Sequence, residues 1–177
     1  MPLDLNILRT ALISGSERVL INRYEATNIN DAKEWVEKTI MHFRSIDSVI
    51  NCAGVFHNTR FLFSSKEKFR IEELFNVNVM APWILTREAW KYLSADGQGR
   101  IIVLVSMSGK RSKSKLAGYS MSKFALMSLC QTMRNEGWDL GIRVTAICPG
   151  WVNTTMASGV KLIESKEMTQ PEDIALI

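Results

Sequence analysis

The chain has 177 residues, 46% hydrophobic and 23% charged, with a net charge of +4. One domain over residues 1–177 is expected, large enough to bury a core, and the charge demands no nucleic-acid or membrane partner. Apolar runs are strand-sized and MPLDLNILRT lacks a basic-then-apolar leader, so neither a spanning helix nor a secretory signal is expected.

In chain order, residues 3–13 read as a helix, with Leu3, Leu5, Ile7, Leu8 and Leu12 mostly on one side. Ser14-Gly15-Ser16 stops it and Val19-Leu20-Ile21 starts a short strand. Asn30 or Asp31 caps a second helix whose apolar stripe is Ala32, Trp35, Val36, Thr39, Ile40 and Phe43. Ser48-Val49-Ile50 is a buried strand leading into Asn51-Cys52-Ala53-Gly54. A long helical region runs from about Lys66 to Leu93, interrupted at Pro82. Asp96-Gly97-Gln98-Gly99 is a turn, and Ile101–Val105 shows no alternation, the pattern of a strand buried on both faces. A helix containing Tyr119 runs to about Gly137, a strand covers Arg143–Cys148, and Gln170-Pro171-Glu172-Asp173 opens one more helix. Strands alternating with helices predict an α/β fold, doubly wound around a parallel sheet.

Cys52, Cys130 and Cys148 lie among apolar neighbours without metal-like spacing, and His42 and His57 have no ligand partner at helical or hairpin spacing. A cytoplasmic protein with reduced thiols and no metal is expected. The chemistry concentrates in SMSGKRSKSKLAGYSMSK, from Ser106 to Lys123. Tyr119 and Lys123 are one helical turn apart, so an ammonium stands beside a phenol and is expected to lower its pKa toward working pH. Tyr119 then suits general acid/base work on a carbonyl or alcohol oxygen, with the Ser106 hydroxyl available to the same atom. Tyr-x-x-x-Lys alone is also an ordinary surface pair; its place at the head of an apolar helix, after a strand ending in Ser, favours chemistry.

With these pieces placed, the sequence resembles the short-chain dehydrogenase/reductase family from about Val19 to Asp173. Asn51-Cys52-Ala53-Gly54 resembles its Asn-Asn-Ala-Gly motif, Asn76-Val77-Asn78-Val79 its helix motif, and Ser106, Tyr119 and Lys123 its catalytic set. Pro149-Gly150-Trp151-Val152-Asn153-Thr154 resembles its cofactor-binding Pro-Gly segment. The resemblance implies a Rossmann-like fold, NAD or NADP as cofactor, and a small-molecule alcohol or carbonyl substrate. It implies that Tyr119 exchanges a proton with the substrate oxygen, Lys123 bonds the nicotinamide ribose, Ser106 polarises the carbonyl and Asn78 holds a relay water. Asn51 and Gly54 would admit the cofactor to the backbone, and Val152 and Thr154 would hold the carboxamide. Locally, Asn51 and Gly54 equally suit a turn, and Thr154-Thr155 a helix cap. The helices over 66–93 and 119–137 match those through which the family forms homo-oligomers.

The family's Thr-Gly-x-x-x-Gly-x-Gly loop has no counterpart here. The expectation is therefore a chain lacking the first strand–helix–strand unit and the last strand. The Val19 strand then either slides in beside Ser48–Asn51 or hangs off the sheet, leaving Ser48 at an exposed edge. Such a chain is expected to be poorly stable and to bind dinucleotide weakly, and a catalytically inactive fragment that acts only with a partner is the alternative. A serine hydrolase is disfavoured because no Gly-x-Ser-x-Gly elbow occurs. Lys110-Arg111-x-Lys113-x-Lys115 carries no interleaved aromatic, so it reads as a solvated loop at the mouth of the site, not a nucleic-acid surface.

Overall fold

The computed structural model describes residues 11–14, 18–159 and 162–177. Strand β1 (Ala11–Ser14) pairs antiparallel with β2 (Arg18–Ile21), Leu12 opposite Leu20. The helix expected over 3–13 is corrected at its end, since 11–13 are strand; residues 3–10 lie outside the described residues. Backbone pairing with β2 decides that segment, and local periodicity carries no information about a partner strand.

Helix α1 (Ile29–Phe43) begins earlier than Asn30. Asn28 is its N-cap, accepting from the Asn30 N–H at 3.0 Å, while the Asp31 carboxylate turns back to accept from the Glu25 N–H at 2.9 Å. The stripe Ala32, Trp35, Val36 and Thr39 is buried, and Trp35 packs on Tyr24 with ring centroids 5.3 Å apart. Then come β3 (Ser48–Asn51), α2 (Lys68–Phe75), a π-helical turn (Asn76–Met80), α3 (Ala81–Leu93), β4 (Arg100–Leu104), α4 (Ala117–Gly137), β5 (Arg143–Ile147) and α5 (Pro171–Ala175). The break expected at Pro82 takes the form of that π turn. In a regular helix the proline ring would meet the Asn78 carbonyl, and the wider turn removes the collision.

The sheet is parallel in the order β3-β4-β5, with Ile50 beside Ile102 and Ile102 beside Thr145. Val49, Ile101, Val103 and Val105 share one core with α1, α3 and α4 through Trp35, Val36, Leu85, Ala89, Leu93, Leu126, Leu129 and Met133. Alternate side chains tell the other half: Ile50 is 47% exposed, and Ile102, Leu104 and Ile147 are half-buried. All three helices therefore lie on one face, which corrects the expectation of strands buried on both. The cause is topological. Right-handed crossovers from β3 to β4 to β5 advance in one direction and stack α3 and α4 on the same side, and α1, which precedes β3, packs there against α3. β2 does not join this sheet; β1 and β2 form a separate pair, and among the described residues β3 is an edge.

The turn from α4 into β5 lies against the Asp96–Gly99 turn. Gly141 has φ +75, and a Cβ there would sit 1.9 Å from the Gly97 carbonyl oxygen. Gly141→Ala therefore meets both backbone strain and a backbone collision, and is expected to lower stability by about 2 kcal/mol or more in urea unfolding.

Candidate active site

Helix α4 carries the central pair and is placed by a residue far away in sequence. Its N-cap, Leu116, makes no side-chain capping bond. Instead the Ala117 N–H donates to the Thr59 carbonyl at 2.9 Å and the Gly118 N–H to the Thr59 hydroxyl at 2.8 Å. Thr59 is 1% exposed, and a Cβ on Gly118 would fall 2.9 Å from its hydroxyl, so the approach requires glycine. Thr59 thus supplies the cap that α4 lacks.

Tyr119 and Lys123 are both buried on the inner face of α4. The Lys123 ammonium lies 5.8 Å from the centre of the Tyr119 ring and donates to the Leu104 carbonyl at 3.2 Å. Phe56 stands edge-on to the Tyr119 ring, centroids 4.9 Å apart. Ser106 follows the end of β4 with φ 150 and ψ 157, a region that residues other than glycine rarely occupy. Its Oγ accepts from the Ser108 N–H at 3.1 Å and lies on the Tyr119 side, where it opposes the rise of the phenol pKa.

Asn78, fully buried on the π turn, uses its whole amide. Its Oδ1 accepts from the Val55 N–H at 2.9 Å, and its Nδ2 donates to the Val55 carbonyl at 3.1 Å and the Ser122 hydroxyl at 3.0 Å. Ser122 in turn donates to the Tyr119 carbonyl at 2.8 Å. The segment after β3 is so fastened to α4, and Gly54 comes close enough that a Cβ there would lie 3.6 Å from Lys123 Nζ. Asn51, buried, donates from Nδ2 to the Thr86 hydroxyl at 3.0 Å, which ties the end of β3 to α3.

Val152 and Thr154 lie on a neighbouring segment, and no described hydrogen bond joins them to Tyr119. That segment is held by an isolated bridge between Val152 and Thr169 and by the Met107 N–H on the Pro149 carbonyl at 2.9 Å. Thr154 is exposed and precedes a one-turn 3-10 helix without capping it; its hydroxyl reaches the Val152 carbonyl at 3.4 Å. Sequence reading missed Thr59, Phe56 and Ser122. Only Ser122 had a signal, one helical turn from Tyr119 on the same face.

Electrostatically, burial pushes the Tyr119 phenol above its ordinary value, and the Ser106 hydroxyl pulls the other way. The expected depression by Lys123 is not found. The ammonium sits over the ring and bonds Leu104, and its own charge is disfavoured: burial lowers Lys123 to about 8, opposed by Cys52, Cys130 and Cys148. All three cysteines are free thiols. Among the described residues no group of His, Cys, Asp or Glu is arranged to hold a metal, and no helix is long and apolar enough to cross a membrane.

The residues suit one half of a dinucleotide. Lys123 Nζ donates a single described bond, leaving N–H donors beside Tyr119, and the 149–154 segment, with Val152 half-buried and Asn153 and Thr154 exposed, lies next to the Ser106 segment. The diphosphate half has no glycine-rich cradle anywhere in the sequence.

A parallel α/β sheet with Ser, Tyr and Lys gathered beyond its strand ends defines a Rossmann-like protein. The family model for short chain dehydrogenases matches residues 6–164, and the chain belongs to that family. It is 35% identical over 168 residues to an agropine synthesis reductase of Rhizobium rhizogenes, covering 95% of this chain and 39% of that protein. With an acetoacetyl-CoA reductase of Allochromatium vinosum it shares 29% identity, covering 85% of this chain and 64% of the relative. Among solved structures, a 7α-hydroxysteroid dehydrogenase complexed with NADH and 7-oxo glycochenodeoxycholic acid superposes with TM-score 0.79 at 23% identity. That alignment covers 87% of this chain and 63% of the other.

Burial of Lys123 carries a pH signature. Its folded pKa lies below its unfolded value, so the unfolded chain binds more protons between about 8 and 10.5, and stability from this group rises with pH across that window. Lys123→Met removes the buried charge at similar length. The variant is expected to be more stable than the parent at pH 7, with an advantage that shrinks by about 3 kcal/mol between pH 8 and 10.5. Denaturant unfolding of both proteins across that range reads it.

Proposed function

We propose that the chain carries the reaction centre of an NAD(P)-dependent oxidoreductase that interconverts a small-molecule alcohol and a ketone or aldehyde. The observation that carries this reading is the buried Tyr119, standing one helical turn before buried Lys123 on α4. The nicotinamide, when bound, supplies or accepts the hydride. Tyr119, raised by burial, is protonated at neutral pH and donates its proton as negative charge grows on the carbonyl oxygen. Ser106 accepts from Ser108 and keeps its own O–H to donate to the same oxygen. Lys123 places positive charge beside the phenolate that remains and offers N–H donors to the nicotinamide ribose. Asn78 holds the framework with its side chain. Its carbonyl, deprived by Pro82 of the amide an α-helix would provide, is the acceptor we assign to a relay water. Asn51 and Gly54 border the cofactor, and Val152 and Thr154 take the carboxamide. Either NAD or NADP fits this assignment, and the free thiols support a reducing compartment such as the cytoplasm.

A second reading is supported by the half-exposed sheet face around Ile50, the edge strand β3 and the absent glycine-rich loop. In it the chain is an inactive fragment that acts only with a partner. The two separate in one experiment, a titration of the 177-residue chain with NADH and NADPH followed by nicotinamide fluorescence, with Tyr119→Phe alongside. The oxidoreductase reading expects binding weaker than micromolar and a loss of at least about 100-fold in kcat for Tyr119→Phe at unchanged cofactor affinity. No binding and no turnover at any concentration would leave the second reading standing.

Self-association is part of the proposal. A groove of about 520 Å³ runs between α3 and α4, lined by Trp83, Trp90, Leu129 and Met133, and Trp83 is 51% exposed. Such a surface suits a second copy of the same helix pair. Sedimentation velocity is expected to show a dimer or tetramer that Trp83→Glu converts to monomer; a monomeric parent chain would sink the idea.

A further inference from the structure

The loops that leave the carboxyl ends of β3, β4 and β5 have an unusual charge composition. No Asp or Glu occurs between Asp47 and Glu67, between Asp96 and Glu136, or between Asp139 and Glu164. The acidic residues Asp47, Asp96 and Asp139 all sit in the turns entering the strands, at the opposite edge of the sheet. The edge that holds Ser106 and Tyr119 therefore has an excess of cations, whereas at the other edge Asp47, Asp96 and Asp139 are accompanied by Arg44, Arg100 and Arg143. From neighbouring helical segments three carboxylates do approach these loops, and each has a partner: Glu73 in His57 Nε2 at 2.7 Å, Glu67 in the Ser64 hydroxyl and N–H at 3.1 Å, and Asp173, beside the 152–153 segment, in the Gln170 N–H at 2.9 Å.

The positive charge concentrates between the two reacting residues. Lys110, Arg111, Lys113 and Lys115 are all exposed, and among the described residues none forms an ion pair. Their loop is built, not splayed. The Lys110 and Arg111 N–H groups donate to the Met107 carbonyl at 3.0 and 3.1 Å, and the Leu116 N–H donates to the Lys113 carbonyl at 3.2 Å. Buried Gly109 pins one end, where a Cβ would sit 2.7 Å from the Lys123 carbonyl oxygen, and Thr59 pins the other. Lys113 reaches across to Trp151, its ammonium 5.8 Å from the ring centre, so loop 110–115 and the 149–154 segment face one another. Lys110 is four residues after Ser106 and Lys115 four before Tyr119. Four residues span at most about 14 Å, which bounds the Cα separation of Lys110 from Ser106 and of Lys115 from Tyr119.

We infer that loop 110–115 is an anion-binding element, and that the substrate is a carbonyl compound or alcohol bearing a carboxylate or phosphate several bonds from the reacting carbon. Four cations without counter-ions on a low-dielectric wall raise the local concentration of an anionic substrate and orient its far end. The inference rests on the oxidoreductase reading for where the carbonyl sits, but anion binding is readable without turnover.

The test uses 8-oxononanoate and its methyl ester, identical at the ketone and different in charge, with the parent chain and a Lys110→Gln/Arg111→Gln/Lys113→Gln variant. The parent is expected to bind the acid at least about tenfold more tightly than the ester by calorimetry. That ratio is expected to fall toward one in the variant and in the parent at high salt. Where turnover is measurable, the ratio of kcat/KM values for acid and ester follows the same course. Preferential acid binding without turnover supports the anion element, and the oxidoreductase reading is then decided by the nicotinamide titration alone. Equal binding of acid and ester, no binding of either, or an acid preference that survives the triple substitution overturns the inference while leaving the oxidoreductase reading intact. So does a variant that loses NADH affinity but keeps the acid preference, because the loop would then serve the cofactor. A phosphate-terminated ketone of the same length separates carboxylate from phosphate selectivity.

Discussion

One side-chain amide holds the cluster of Ser106, Tyr119 and Lys123 together. Asn78 joins Val55, just beyond the end of β3, to Ser122 and so to the backbone of Tyr119. A buried amide with its acceptor and both donors used is worth far more than its net hydrogen-bond energy, because losing any partner leaves a polar atom stranded without water. The π turn is what aims it. A regular helix through residues 76–80 would rotate Asn78 differently and drive Pro82 into its carbonyl. The irregularity and the network are therefore one feature: helix geometry is given up over one turn so that an amide can bridge two strand-end segments.

Thr59 provides the second constraint. Its carbonyl and hydroxyl take two N–H groups of α4 that its own sequence leaves uncapped. Between them, Thr59 and Asn78 fix both the start of α4 and the height of Tyr119 above the sheet. Within that frame Lys123 is held in a place that does not suit a cation, covered by protein and bonded to a single carbonyl. The strain at Ser106 belongs to the same pattern. A buried cation and a strained backbone both cost stability, and the packing of α4 against β4 and β5 offsets that cost.

The sheet explains why the site is open on one side. With α1, α3 and α4 stacked on one face, Ile50, Ile102 and Leu104 receive less cover than Val49, Ile101 and Val103 in the same strands. Crossover handedness places α3 and α4, since both parallel connections advance the same way, and α1 joins them by packing against α3. The charge asymmetry between the two strand edges has no such topological origin. It is written in the loops themselves and coincides with the edge where Ser106 and Tyr119 meet.

Much of this was legible from residues alone, for a physical reason: strands, helices and caps are short-range. The strand Arg143–Ile147, the helix ending at Gly137, the turn at Asp96–Gly99 and the helix opening at Pro171 all follow from periodicity and punctuation. So does the spacing that sets Tyr119 and Lys123 on one face of α4. What no local pattern carries is the identity of a partner distant in sequence. The pairing of Ala11–Ser14 with β2, the capping of α4 by Thr59, the commitment of Asn78 to Val55 and Ser122, and the one-sided cover of the sheet are contacts across the fold. The pKa of Tyr119 belongs with them. The sequence placed an ammonium beside a phenol, but only the packed structure decides how much water each loses, and desolvation outweighs the charge.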